Sequence, residues 1–154
     1  MIPAGTNRAA SGISWVTTRS PATACSTTAA STARGERVLL VAEDDQGICG
    51  TAQLVVDLPE NQPHRADVAK MLVHRQARRQ GIAQALMAAV DDEARAAGKT
   101  VLVLDTVTGG DAERLYARAG WQRVGMIPAY ALMPDGALCA TTYFYKHLDA
   151  VAAG

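Results

Sequence analysis

One amphipathic helix set between strand-length apolar runs is the feature that most restricts the fold of this chain. Between Gly81 and Gly98, apolar residues recur at i, i+3, i+4, i+7 and i+8, which places them on one helix face. Gly98 is typical of a glycine just beyond a helix C-terminus. A helix with one apolar face must bury that face against another layer of structure. The apolar positions are Ile82, Ala85, Leu86, Ala89, Val90 and Ala97.

The apolar runs on both sides of this helix predict a sheet. Before it, RVLLVAE, ICGTAQLVVDL and ADVAKMLVH predict three strands that pair antiparallel, with DDQG as the first turn. After it, TVLVLD predicts a central strand covered on both faces, and residues 111–119 predict a second helix. Strands are also predicted for Trp121 to Met126 and Ala137 to His147, joined through the turn MPDG. The expected class is α/β or α+β, with helices on both faces of the sheet.

Length and charge restrict the kind of partner. The chain has 154 residues, about one domain, with 15 basic and 15 acidic side chains. Nucleic acids and anionic membranes are usually bound through a basic excess, so we expect neither as a partner. Apolar runs such as VLLVA are far shorter than the ~20 residues of a membrane span, which predicts a soluble protein. A small molecule or another protein remains open as the partner, and the sequence is compatible with a homodimer.

The cysteines and histidines do not form a recognisable framework. Cys25, Cys49 and Cys139 are odd in number and widely spaced, which favours neither disulfides nor a metal site. We therefore expect a reducing, cytoplasmic location. The three histidines also lack metal-ligand spacing, so no metal is expected.

Residues 1–34 differ in composition from the rest of the chain. Alanine, serine and threonine dominate, aspartate and glutamate are absent, and the apolar residues show no sustained period. Such a segment buries too little apolar surface to offset the entropy lost on ordering. We predict a poorly ordered arm over residues 1–34 and one folded domain over residues 35–150.

The run RRQGIA, residues 78–83, joins the third predicted strand to the helix. Backbone N–H groups at a helix N-terminus have no intrahelical partner, and the helix dipole there favours an anion. An anionic ligand would explain the run, but so would a tight turn with two solvated arginines. The run lacks the first glycines of the dinucleotide fingerprint and the Gly-Lys-Ser/Thr end of a P-loop.

Two blocks in the same order resemble the GNAT superfamily of acyl-CoA-dependent N-acetyltransferases. RRQGIA resembles the family signature Gln/Arg-x-x-Gly-x-Gly/Ala, and AERLYARAGW resembles a second block, a helix that carries Leu-Tyr and ends in Gly-aromatic. Several stretches, among them YALMPDGALCATTYFYKHL, are further similar to the tabtoxin-resistance acetyltransferase subgroup. The resemblance covers residues 37–148. It implies a GNAT-like mixed, mostly antiparallel sheet that splays between its two central strands, with acetyl-CoA as cosubstrate.

The resemblance also implies where acetyl-CoA binds. Its pyrophosphate would lie on the loop, where Gly81 and Ala83 let the ligand approach the backbone and the arginines add charge. The pantetheine arm would pair with the strand that ends in KMLV, and a backbone N–H there is the candidate oxyanion donor. The implied cofactor-binding residues are Leu72, Val73, Arg78, Arg79, Gln80, Gly81, Ile82, Ala83, Asp111 and Tyr116.

One position departs from the family pattern. The family usually has an asparagine three residues before the alanine of AERLY, where it contacts the cofactor arm, and this chain has Gly109. Either Asp111 takes over that contact or the contact is absent.

Two residues are the candidates for the chemistry. The resemblance makes Tyr116 the acid that protonates the departing thiolate, and a phenol is able to do so. Asp105 ends the strand TVLVLD beside the expected splay, so we choose it as the base that deprotonates the amine. It is almost as well explained as the start of the turn DTVTGG, and an ordinary aspartate would need burial or a water relay to act as a base. Glu113 and Glu43 are weaker candidates.

The leading hypothesis is an N-acetyltransferase that transfers acetyl to a small primary amine by direct attack. Through the subgroup resemblance, the acceptor would be the amino group of a β-lactam amino-acid toxin, giving self-protection or resistance. The family normally has a strand and one or two helices before RVLLVAE that wall the acceptor pocket, and here the arm stands in their place. The alternative is therefore a non-catalytic acyl-CoA-binding protein without a complete acceptor pocket.

Overall fold

A mixed sheet forms the frame of the computed structural model, which describes residues 6–8, 14–18 and 26–149. Within these residues, eight strands form one sheet in the order β1-β2-β3-β4-β5-β6-β8-β7. The strands are β1 Thr6–Arg8, β2 Ser14–Thr18, β3 Arg37–Asp44, β4 Gly47–Val55, β5 Arg65–Val73, β6 Val101–Val107, β7 Gln122–Leu132 and β8 Leu138–His147. The helices are α1 Ser26–Ala33, α2 Ile82–Ala96 and α3 Asp111–Arg118, with a short 3-10 helix at Arg75–Ala77.

The predicted antiparallel group β3 to β5 is confirmed. β3 pairs with β4 and β4 with β5, both antiparallel. The register of the second pair shifts between Thr51 and Gln53, where β5 carries one extra residue and Lys70 has a φ of 52°. An extra residue of this kind is a β-bulge, which bends the strand and interrupts its pairing.

Helices α2 and α3 pack on one face of the sheet and bury the main core. The predicted apolar stripe of α2 is confirmed, because Ile82, Leu86 and Val90 are almost fully buried there. Gly98 follows the helix with a φ of 73°, which is the left-handed conformation expected of a glycine just beyond a helix C-terminus. Among the described residues, no helix is long and apolar enough to cross a membrane.

The core lies closest to the sheet at Gly50 on β4. A Cβ atom at this position would lie 3.0 Å from Cγ2 of Ile82 and 3.1 Å from Cδ1 of Leu86. The absence of a side chain at Gly50 therefore allows α2 to pack directly on the strand.

The prediction that the TVLVLD strand is covered on both faces is wrong. In β6, Leu102 and Leu104 are buried while Val101 and Val103 are half-buried and Asp105 is exposed. Side chains alternate between the two faces of a strand, so Asp105 points away from α2 and α3. We call this side of the sheet, defined by Val103, Asp105 and Tyr143, the outer face.

The sheet splays between its two central strands, as predicted. β5 and β6 run parallel and pair only at Arg65–Val101, Ala66–Leu102 and Asp67–Val103. Beyond these three pairs the strands diverge, while β6 continues to pair with β8 as far as Val107. Val73 at the end of β5 and Asp105 in β6 therefore lie on the diverging parts of the two strands, which do not pair with each other.

The C-terminal hairpin forms the other end of the sheet. β7 is longer than predicted and pairs antiparallel with β8 across the predicted MPDG turn. Pro128 lies within β7, which its position at the sheet edge allows because an edge strand has one unpaired side.

Parts of the segment 1–34 contribute to the sheet in this structure. β2 pairs antiparallel with β3, and α1 lies against β3 on the outer face, where Leu39 and Val41 are buried. Strand pairing to β3 was not expected from the composition of this segment. Much of the segment lies outside the described residues, so the boundary between an arm and a domain at residue 34 stays a prediction.

Candidate active site

A groove of about 950 Å³ runs between the start of α2, the end of β5 and helix α3. We call it the α2–α3 groove. It brings together nine of the ten residues predicted to bind the cofactor, and Gln80 is the exception. The side chain of Gln80 instead donates to the carbonyl of Gln76 at 3.4 Å. The lining residues are Met71, Leu72, Val73, Ala77, Arg78, Arg79, Gly81, Ile82, Ala83, Gln84, Asp111, Ala112, Arg114, Leu115, Tyr116, Arg118 and Ala119.

The groove is basic although the whole chain is neutral. Four arginines line it against a single aspartate, Asp111. Arg78 and Arg79 were predicted from the sequence, whereas Arg114 and Arg118 were not. Their i, i+4 spacing on one helix face was the signal that could have found them. This concentration of guanidinium groups makes the groove suited to a polyanion.

The loop at the start of α2 has the geometry of an anion site. Gly81 has a φ of 76° and caps the helix without any side-chain hydrogen bond, and Arg79 before it has a φ of 62°. The first turn of α2 carries no acidic side chain. Ile82, Ala83 and Gln84 of this turn line the groove, so no carboxylate on the turn competes with an anion for its unpaired backbone N–H groups. A Cβ on Gly81 would meet no protein atom within 4 Å, so the backbone conformation, not packing within the chain, is what requires glycine there.

The end of β5 lies beside both the bulge and the splay. Leu72 pairs with Thr51 and Val73 with Gly50 on the β4 side, whereas on the β6 side the pairing has already ended at Asp67. Leu72 is 62% exposed and lines the α2–α3 groove. One edge of this strand is therefore available to a ligand in the groove.

Tyr116 projects from α3 into the core beside the groove. It is 5% exposed, and its ring lies 6.0 Å from the rings of Trp121 and Phe144. Burial, and secondarily the negative charge of Asp105, raises the pKa of its phenol. The hydroxyl group therefore stays protonated at neutral pH and can act as a proton donor.

Asp105 and Tyr116 belong to opposite faces of the sheet. Phe144, which touches Tyr116, pairs with Leu104, and the next pair along the strands is Asp105 with Tyr143. The Asp105 carboxylate is exposed and accepts a hydrogen bond from Thr141 at 3.1 Å. The Asp105 side chain is thus open to solvent on the outer face, and its role as the base stays a prediction.

The weaker base candidates have other surroundings. Glu113 accepts hydrogen bonds from the backbone N–H of Gly109 at 2.5 Å and from Arg123 at 3.4 Å. The Gly109 hydrogen bond, above all, lowers the pKa of Glu113, so this carboxylate holds the loop before α3 and is a poor base. Glu43 is half-buried near the end of β3. Asp111 lies on the groove and is almost fully exposed, 3.6 Å from Arg114.

The outer face carries two tyrosines in contact. The hydroxyl oxygens of Tyr130 and Tyr143 lie 2.5 Å apart and their rings are edge to face. The pKa of Tyr143 is raised to about 12, mainly by this hydrogen bond. Burial and the negative charges of Asp105 and Asp67 also raise it. Neither tyrosine was predicted from the sequence to be a site residue.

The described residues contain no group of three or more potential metal ligands. Cys49 is buried and its thiol donates to the carbonyl of Ala42 at 3.4 Å, while Cys139 is half-buried. Burial raises the pKa of the Cys49 thiol. Cys25 lies outside the described residues.

Comparison with known protein families decides what this site belongs to. Residues 35–123, more than half of the chain, match the acetyltransferase (GNAT) domain family. The chain belongs to the GNAT acetyltransferase family. The matched region contains the anion loop, the splayed strands and every lining residue of the α2–α3 groove.

One curated relative is an uncharacterized N-acetyltransferase from the hisH-hisA intergenic region of Azospirillum brasilense. It is 44% identical over 72 residues, which are 46% of this chain and 43% of that protein. The match therefore spans less than half the length of this relative.

Two solved structures show that the fold extends over most of the chain. The protein yncA of Salmonella typhimurium, solved with its cofactor acetyl-CoA, has a TM-score of 0.67 at 24% identity and is matched over 80% of this chain and 71% of its own. The ribosomal-protein-alanine N-acetyltransferase of Brucella melitensis has a TM-score of 0.70 at 24% identity. It is matched over 79% of this chain and 75% of its own. At this level of identity the likeness shows a common fold.

Proposed function

We propose that this GNAT domain is an acetyl-CoA-dependent N-acetyltransferase acting on a small primary amine. The observation that carries the proposal is the α2–α3 groove, which joins four arginines and a helix N-terminus without a side-chain cap to the splay of the sheet. A pyrophosphate needs several donors and positive charges at one place, and the groove provides them. Its volume is also within the range of about 300–1,000 Å³ that is common for ligand sites.

The residues at the splay fit the transfer of an acetyl group. Bound acetyl-CoA supplies this group as a thioester. On the α3 side, the Tyr116 hydroxyl is suited to give its proton to the sulfur. On the outer face, Asp105 takes a proton from the ammonium group of the acceptor, with water as a relay, so that the neutral nitrogen can attack. A backbone N–H of Leu72 or Val73 donates to the carbonyl oxygen, where negative charge develops.

The placement of acid and base on opposite faces supports direct attack. The nucleophile would arrive from the outer face, and the leaving sulfur would remain on the groove side, so neither group crosses the sheet. No covalent intermediate with the protein is needed for this order of events.

The finer proposal concerns the acceptor. The similarity of YALMPDGALCATTYFYKHL to the tabtoxin-resistance subgroup supports the amino group of a β-lactam amino-acid toxin as the substrate. Acetylation would then protect the producing or resisting cell.

The exposure of Asp105 favours one alternative, a non-catalytic acyl-CoA-binding protein whose acceptor side is too open to position an amine. Calorimetry with acetyl-CoA, followed by measurement of free CoA thiol in a panel of primary amines, separates the two. Amine-dependent thiol release supports the enzyme, and tight binding without release supports the binding protein. If acetyl-CoA does not bind, both are wrong.

Charge removal tests whether the groove is the site. Arg118→Gln should weaken acetyl-CoA binding several-fold, and the loss should shrink at high salt because exposed charges are screened. Arg95→Gln, near the far end of α2, makes the same change in charge outside the groove. Its binding should match that of the parent.

A further inference from the structure

The two tyrosines of the outer face lie next to Asp105 at the splay. Tyr143 pairs directly with Asp105 across β6 and β8, so their side chains are neighbours on the same face. Tyr143 is half-buried beneath Tyr130, and Tyr130 itself is 48% exposed. The three side chains form a cluster open to solvent, which we call the Asp105–Tyr130–Tyr143 cluster.

The position of Tyr130 depends on an irregular backbone. Ile127 pairs with Thr141 and Ala131 with Cys139, so three residues of β7 lie opposite Ala140 alone. Within this bulge Ala129 has a φ of 49°, an uncommon conformation for a residue other than glycine. The bulge folds Tyr130 back over Tyr143, and strain of this kind is retained where the surroundings hold it in place.

The charges around the cluster favour a cation. No cation forms an ion pair with Asp105 within the part of the chain that the structure describes. Asp67, on the same face, is already paired with Arg65. Both phenol oxygens keep lone pairs after they bond to each other, and the ring faces attract positive charge.

We propose that Tyr130 and Tyr143 bind the ammonium group of the acceptor beside Asp105 and so select protonated aliphatic amines. This inference rests on the proposed function and extends it to residues outside the two family blocks. The raised pKa of Tyr143 keeps its hydroxyl uncharged at neutral pH. The hydroxyl pair holds the ammonium group beside Asp105, which accepts its proton through the water relay. The bulge in β7 brings the two tyrosines together.

Tyrosine ring signals in NMR provide a test that does not depend on turnover. The chain has four tyrosines, so ring-labelled protein gives one reporter each for Tyr116, Tyr130, Tyr143 and Tyr145. Butylammonium should shift the signals of Tyr130 and Tyr143 saturably, while uncharged 1-butanol should not. Acetyl-CoA should shift Tyr116, which reports on the groove separately. Unmoved signals of Tyr130 and Tyr143, or equal shifts with 1-butanol, would overturn the inference.

A kinetic test separates this inference from the proposed function. Tyr143→Phe should raise KM for butylamine about tenfold and leave acetyl-CoA affinity unchanged, which is the scale expected for one hydrogen bond to a charged group. Tyr145→Phe is the matched control, since Tyr145 lies on the same strand and face but donates to Gln122 at 2.6 Å. A parental KM in Tyr143→Phe contradicts the inference alone. If the parent does not turn over any amine, the proposed acetyltransferase activity is wrong. The NMR titration then still shows whether Tyr130 and Tyr143 bind an ammonium group.

Discussion

Gly50 lies directly beneath Ile82, so close that a Cβ atom on the glycine would come within 3.0 Å of Cγ2 of the isoleucine. Ile82 begins α2 immediately after Gly81. The contact therefore sets the height of the anion loop above the sheet and connects core packing to ligand binding.

Gly50→Ala should lower the free energy of unfolding by about 1–3 kcal/mol because the added methyl group overpacks the contact with Ile82 and Leu86. It should also weaken acetyl-CoA binding, since the start of α2 must move. Gly125→Ala on β7 is the matched control, because a Cβ there meets nothing within 4 Å. Urea unfolding and calorimetry measure the two effects. Equal stability of both variants would show that the contact relaxes without cost.

Gly81→Val should lose acetyl-CoA affinity, because a φ of 76° is unfavourable for a branched side chain and the loop would be displaced. Gly98→Val introduces the same strain at the other end of α2, where φ is 73° and no neighbour lies within 4 Å. The two variants should be destabilised alike, by about 1–2 kcal/mol, but only Gly81→Val should bind poorly. Arg79→Ala should cost less affinity than Gly81→Val because the backbone donors remain. Poor binding by Gly98→Val would assign the loss to general instability.

Tyr116→Phe should lower kcat by about 10²-fold with little change in acetyl-CoA affinity, as expected when a general acid is removed but the ring contacts remain. Burial raises the pKa of this phenol above its ordinary value of about 10, so the acid form persists and the parental rate should not fall through this group between pH 6 and 9. Steady-state kinetics over that range checks both points. A variant with parental kcat would exclude Tyr116 as the acid.

Asp105→Asn should lower turnover most at neutral pH, where the acceptor is an ammonium ion and needs a base. As the pH rises, free amine becomes available without a base, and the rate of the variant should recover in parallel with the neutral amine fraction. Asp92→Asn, an exposed carboxylate on α2, is the control for removal of a charge. A constant ratio of variant to parent rate across pH would argue against a role of Asp105 in proton transfer.

Glu113→Gln should reduce the loss of stability that the fold suffers on acidification. The folded state lowers the pKa of Glu113, so its stabilisation is complete above the unfolded value near 4.3 and is lost as the pH falls through the folded value. The variant should therefore melt below the parent at pH 7, and the gap should close on acidification below about pH 4. Glu60→Gln, on an exposed loop, should show neither effect. A gap that is independent of pH would mean that the carboxylate charge does not contribute.

Local patterns were sufficient for much of the fold. The 3.6-residue period predicted α2, and Gly98 and Gly120 marked the ends of both helices because a left-handed backbone at that position favours glycine. Strand-length apolar runs separated by turn residues predicted strands β3 to β5 and their pairing. The loop around Gly81 was also found from sequence, since its conformation depends on a few adjacent residues.

Only the tertiary structure decided which side chains meet across the sheet. The register of β6 on β8 places Asp105 beside Tyr143, and no local pattern encodes a pairing between residues 38 positions apart in the chain. The burial of β6 was mispredicted for the same reason, because coverage of a strand depends on where distant helices pack. Arg114 and Arg118 became part of a basic groove only when α3 came to lie beside α2. The sequence by itself determined the elements from β3 onward and the anion loop, because both depend on residues close together in the chain. Long-range packing determined the outer face and the cluster that we assign to the acceptor.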